Sequence, residues 1–468
     1  MDAVVTPLPK IEGGSPNTSL KAPAPLWKTF IAFLVPMMLS NVLQSLSGTL
    51  NNIFLGHMLG VDALAAATVF FPVMFFFIAF VMGLGMGTTV LVGQAFGAGD
   101  HERVRAIAGS ALALTLIAGV VIAVFGGLFT DQLMTALQTP ADIRADSIAY
   151  ARVMLISMPV FFVFLLATSI LRGVGDAVTP LWVLAISTGV GLILTPLLIR
   201  GVIGFPPLGV ASAAWASLVS LVVALGWLAW KLHGKGHPLA PNAALMRHVK
   251  LNGHILALVM RIGVPTGVQM VIMAIAEIVL LGLVNRYGSN ATAAYGVINQ
   301  VLAYVQFPAM SIGITASILG AQAIGAGRTN QLGAITKTGL LLNLIFTGAG
   351  VIAIYLFSHT IIGMFINRPE VIELTQHLLQ IVLWSVVVFG MSVVFSGVMR
   401  SSGAVLAPTA ISILAILAVE VPTAWLLSAQ IGVDGVYIAY PATFCAMMLI
   451  QAGYFTLVWR KRSIRALT

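Results

Sequence analysis

The chain has 468 residues, of which 59% are hydrophobic and only 8% charged, against about 25% charged in an ordinary soluble domain. A mean hydropathy of +1.04 leaves too little polar surface to face water, so lipid must solvate most of the exterior and a soluble enzyme is excluded. The net charge of +9 does not indicate a nucleic-acid partner, because the basic residues are scattered between apolar runs rather than gathered on one face.

Residues 1–24 hold Pro, Gly, Ser and Asn without an apolar core and read as a disordered cytoplasmic tail, not a cleaved signal. A spanning helix needs about 20 apolar residues. Twelve such runs follow, near 28–55, 63–92, 106–129, 147–171, 179–199, 208–232, 256–285, 291–323, 334–358, 371–399, 405–428 and 435–459. An all-α membrane protein is predicted, with both termini on one side. Placing the N-terminus in the cytoplasm puts 18 of the 23 Lys and Arg residues in inside loops, as the positive-inside bias requires. The single Cys445 can form no internal disulfide, and no His, Cys, Asp and Glu set has metal-ligand spacing. No cofactor is expected.

The second half repeats the first. Leu91-Val-Gly-Gln-Ala-Phe-Gly-Ala-Gly-Asp100 matches Leu319-Gly-Ala-Gln-Ala-Ile-Gly-Ala-Gly-Arg328 at six of ten positions, displaced by 228 residues. Gly60 and Gly288, Gly85 and Gly313, Arg172 and Arg400, and Pro180 and Pro408 share that displacement. Six helices, an even number, lie within it, so equivalent helices cross in the same direction and the halves are parallel repeats. Two six-helix bundles are expected, 25–232 and 256–459, joined by a polar cytoplasmic linker at 233–255 and followed by a basic tail at 460–468. Parallel-repeat bundles alternate access to a central cavity, which makes transport the leading function and a major facilitator the main competitor.

The loop Gly93-Gln-Ala-Phe-Gly-Ala-Gly-Asp-His-Glu-Arg-Val-Arg105, the segment Leu171-Arg-Gly-Val-Gly-Asp-Ala-Val-Thr-Pro180 and the first-span stretch Asn41 to Gly56 resemble instead the multidrug and toxic compound extrusion (MATE) family. The resemblance covers essentially the whole chain. It implies efflux of varied, often cationic or amphipathic, small organic compounds from the cell, driven by protons or sodium. A monomer in the inner membrane is expected, and without a nucleophile–base pair or metal set an enzyme is not. A flippase for a lipid-linked saccharide is the alternative, because related folds move such molecules. The chain departs from the family's acids: Asn51 stands where one branch has a first-span acid, and Met273 and Phe389 where another branch has acids in the seventh and tenth spans.

Carboxylates deep in a bilayer are costly and tend to mark ion paths. Two qualify. Glu277 lies nine residues before Arg286, about 13 Å along a helix, and is one turn past Met273. Glu420 precedes Pro422 by two residues, where the missing N–H frees carbonyls to coordinate. Each reads either as a titrating ion-coupling group or as a protonated carboxyl bonded to a neighbouring helix. Gln44, Gly48 and Asn51 form a polar stripe on the first span, open to an ion or solute or used in interhelical bonding. Asn299, Tyr304 and Trp384 are candidate walls of a solute cavity, with ordinary packing as the other reading. Arg172 and Arg400 read as structural groups at helix ends, Gly83-Leu-Gly-Met-Gly87 as a close-packing stripe, and the Gly-Ala-Gly runs at 97–99 and 325–327 as helix stops. Lipid is the expected macroscopic partner, and a nucleic acid is not.

Overall fold

The computed structural model describes residues 25–201, 207–234, 237, 239–366 and 368–467, and is all-helical over them. The predicted tail 1–24, linker positions 235, 236 and 238 and the last residue of the basic tail lie outside the described residues.

Helix α1 (Leu26–Leu59) continues through Pro36 without a break. The second apolar run is divided into α2 (Val61–Thr68) and α3 (Phe71–Gly97). This corrects the single predicted segment 63–92. Pro72, in the first turn of α3, has no N–H to continue the preceding ladder, whereas the repeat-equivalent position is Gln300 and its helix is unbroken. Next come α4 (His101–Leu128), the short α5 (Thr130–Ala136), and α6 (Arg144–Ile156) with α7 (Met158–Gly173), bent by 50° at Ser157. The first half ends with α8 (Val178–Arg200) and α9 (Ala211–Gly234). A single turn, α10 (Ala243–Met246), interrupts the linker.

In the second half α11 (Gly253–Asn285), α12 (Ser289–Gly325) and α13 (Leu332–Gly363) each run 32 residues or more. Then α14 (Pro369–Val382) and α15 (Ser385–Ser401) form a second bent pair, at 41°. A π-helical turn, Ile416–Glu420, joins α16 (Leu406–Ala415) to α17 (Val421–Ile431), and α18 (Val433–Leu457) closes the bundle. Among the described residues, ten helical segments are long and apolar enough to span a membrane, and counting each bent pair as one span makes up to twelve. Exposed Trp230, Leu356 and Leu128 suit hydrocarbon rather than water.

The repeat is written into the backbone. Gly60 and Gly288 precede α2 and α12 with φ of 96° and 91°. Gly99 and Gly327, at 74° and 72°, end α3 and α12 in the left-handed conformation that glycine tolerates without a Cβ clash. Gly175 and Gly403 form a third such pair. After Gly175, Asp176 Oδ1 accepts the backbone N–H groups of Val178 and Thr179 and so caps α8. The Leu-Arg-Gly-Val-Gly-Asp segment is thus a helix stop followed by a helix start.

By contact, the described residues up to Met38, with Gly97–Gly99 and the chain from Val268 on, form one compact unit; Leu39–Phe96 and Asp100–Gly267 form the other. In the latter, the Gly83–Gly87 stripe does what small residues do between helices. A Cβ at Gly83 would collide with the Gly263 carbonyl, one at Gly87 would lie 2.5 Å from the Val259 carbonyl oxygen, and one at Gly85 would lie 2.6 Å from Ser169 Oγ. Thr89 donates its hydroxyl to the Ser169 carbonyl at 2.9 Å. In the other unit α12 packs on α15 in the equivalent way, with Gly313 against Val393 and Gly320 against Ser401. Its core gathers Ile298, Val301, Val386 and Tyr437.

Candidate functional site

Glu277 sits on α11 within an uninterrupted apolar helix. Its Oε2 accepts two phenolic hydrogen bonds, from Tyr295 on α12 at 2.5 Å and from Tyr440 on α18 at 3.0 Å. Tyr295 also contacts the Glu277 backbone carbonyl at 3.2 Å. Among the described residues no hydrogen bond reaches Oε1. Bonds from hydroxyls to a carboxylate are the strong kind, and here both donors are held by burial: Tyr295 and Tyr440 are 5% and 4% exposed. Tyr437 packs at the same place, with ring centroids 6.4 Å from both Tyr295 and Tyr440.

These groups bound a cavity of about 340 Å³ lined by Glu277, Ile278 and Leu281 from α11, by Tyr295, Asn299, Leu302, Ala303 and Gln306 from α12, and by Tyr440 from α18. Tyr295, Asn299 and Gln306 fall at i, i+4 and i+11 on one face of α12, which gives the cavity a phenol and two amides. Glu420 is 6% exposed and belongs to the π-helical turn. Its cause is local: Pro422 offers no N–H to the Ala418 carbonyl, so the chain widens by one residue before α17 resumes.

Of the residues singled out from the sequence, Glu277 and Asn299 line this cavity and Glu420 does not. Tyr304 stands 40% exposed beside Phe307, edge-to-face at 5.6 Å, and Trp384 is 46% exposed at the break between α14 and α15. Neither lines the cavity. Asn51 belongs to the other unit, where its Oδ1 accepts the Thr195 hydroxyl at 3.2 Å, an α1 to α8 bond of the interhelical kind. Gln44 is exposed on α1. Arg400 donates to Gln269 Oε1 at 2.7 Å. The sequence reading did not pick out Tyr295, Tyr440 and Gln306. The polar spacing on α12 could have exposed Tyr295 and Gln306, whereas nothing in the local sequence ties Tyr440 to Glu277.

A multi-pass helical membrane protein written as two copies of one six-span pattern, with an acid and phenols around an open cavity on one unit, has the make-up of a secondary transporter. The family model MatE matches residues 36–197 and again 265–426. The chain therefore belongs to the multidrug and toxic compound extrusion family, whose members are transporters and not enzymes. It is 42% identical over 452 residues to the probable multidrug resistance protein YoeA of Bacillus subtilis, covering 96% of this chain and 98% of that one. It is 24% identical to the multidrug export protein MepA of Staphylococcus aureus, covering 92% and 94%. Crystal structures of MATE in the straight and in the bent conformation superpose with TM-scores of 0.84 at 23% identity, covering 92% of this chain and 95% and 94% of theirs. These share its fold.

Proposed function

We propose that the protein expels small organic, cationic or amphipathic compounds by antiport against protons or sodium, with Glu277 as the group that takes the coupling cation. The observation that carries this reading is the Glu277 carboxyl itself: an acid inside an apolar helix, fixed through one oxygen by two buried phenols and open at the other, beside a cavity with room for an ion and water. Oε1 is where a proton or sodium ion binds, and Asn299 and Gln306 supply further oxygens nearby. Coupling then follows from linkage. If cation and solute each favour an opposite-facing state, binding of one promotes release of the other without a covalent step. In this reading the chain works as a monomer in the inner (cytoplasmic) membrane, and the excess of Lys and Arg in one set of loops supports cytoplasmic termini.

The test is a pair of imposed gradients. Protein in liposomes should move a fluorescent organic cation when a pH or a sodium gradient is applied, and the effective gradient identifies the ion. Absence of movement under both would remove the antiport reading.

A further inference from the structure

The described residues after α18 pack back against the bundle. After α18, Trp459 stacks on Phe455 with ring centroids 5.0 Å apart, and its indole N–H donates to Ser402 Oγ at 3.1 Å. Eight residues later Leu467 lies against Gly403, where a Cβ would collide with it. Pinned at both ends, the segment walls a second pocket of about 920 Å³ against the first turns of α13.

Four cations line it: Lys337 from α13, with Arg460, Arg462 and Arg465 from the terminal segment. No acidic side chain lines it. The two ion pairs among the described residues, Arg144 with Asp131 and His377 with Asp434, lie elsewhere. Four like charges held around one space repel unless an anion neutralises them. The chain spends its scarce charge here, with 8% charged residues overall. Hydroxyls of Thr329 and Ser463 add donors, while Leu340, Phe455 and Trp459 give the pocket an apolar side. Leu457 is 67% exposed three residues before Arg460, so the wall crosses from hydrocarbon-facing to charged surface within one turn. That is the pattern of a membrane–water boundary.

We propose that this pocket binds a phosphate-bearing anion at the membrane boundary, the cations holding the phosphate and the apolar side receiving what is attached to it. An anionic phospholipid head group and a soluble phosphate share that chemistry. The proposal is independent of the ion site at Glu277.

The experiment uses the full chain purified in detergent and measures retention of dihexanoyl-phosphatidylglycerol against dihexanoyl-phosphatidylcholine by native mass spectrometry, with inorganic phosphate as competitor. The expected result is at least about tenfold preference for the anionic lipid, lost in K337Q/R462Q/R465Q, kept in R462K/R465K and weakened by added salt. Displacement by millimolar phosphate would show that the anion alone suffices; resistance to it would assign the site to lipid. Equal retention of the two lipids, or full retention by the glutamine variant, would overturn the proposal. Should that variant fail to fold, a diazirine-bearing phosphatidylglycerol on the unaltered protein decides: cross-links to residues 455–467 support the site, and cross-links found only elsewhere refute it.

Discussion

Adding one methyl at Gly87 tests how the first part of α11 is held against α3. The new carbon would sit 2.5 Å from the Val259 carbonyl oxygen, 3.3 Å from its carbon and 3.4 Å from the Gly263 nitrogen. Ordinary contact lies at about 3.5 Å, so the seam must open by about 1 Å, and no side-chain rotation relieves a clash with backbone. Overpacking of this kind costs about 1–3 kcal/mol. Alanine also favours helix over glycine by about 0.8–1 kcal/mol, which would mask part of the loss. Gly226→Ala in α9 of the same unit supplies the reference, because nothing lies within 4 Å of its Cβ position. Thermal unfolding in one detergent, followed by tryptophan fluorescence, should place Gly87→Ala below Gly226→Ala by about 1–3 kcal/mol. Equal stability of the two variants would refute the reasoning. The Gly87→Ala, Gly263→Ala double variant should lose less than the sum of its parts, since both substitutions open one seam.

Thr195→Val removes the hydroxyl that bonds Asn51 and keeps its shape; it should cost about 0.5–1.5 kcal/mol in thermal unfolding and leave gradient-driven transport unchanged. A collapse of coupling would instead put Asn51 in the ion path. Pro422→Ala restores the N–H that the Ala418 carbonyl lacks, lets the π-turn close to α-helix and rotates Glu420 by up to about 100°. Stability should rise by about 1 kcal/mol while gradient-driven transport falls, and unaltered transport would remove Glu420 from the mechanism.

Much of the architecture was legible because lipid imposes simple rules. A spanning helix must be long and apolar, so the twelve runs are visible as composition, and a glycine that must adopt positive φ is kept in both copies, as at Gly99 and Gly327. The bends were less legible. Pro159 marks the break at Ser157, but Leu383 and Trp384, where the second pair bends, carry no comparable signal. Glu277 stood out because intramembrane acids are rare. Tyr440, its partner, lies 163 residues away, and only tertiary packing brings the two together. Exposed polar residues on α1 such as Gln44 illustrate the converse, since periodicity reports a face without saying what that face meets.

The most direct test of the account is Glu277→Gln in liposomes, with ion flux and solute flux recorded in the same vesicles. Glutamine fills the same space but cannot exchange a proton or hold a cation by charge. The account predicts that the applied gradient no longer drives solute movement and that solute no longer carries counter-ions, while gradient-free exchange of labelled solute continues and the unfolding midpoint stays near that of the unaltered chain. Gradient-driven transport at the normal rate, with the normal ion flux, would contradict it.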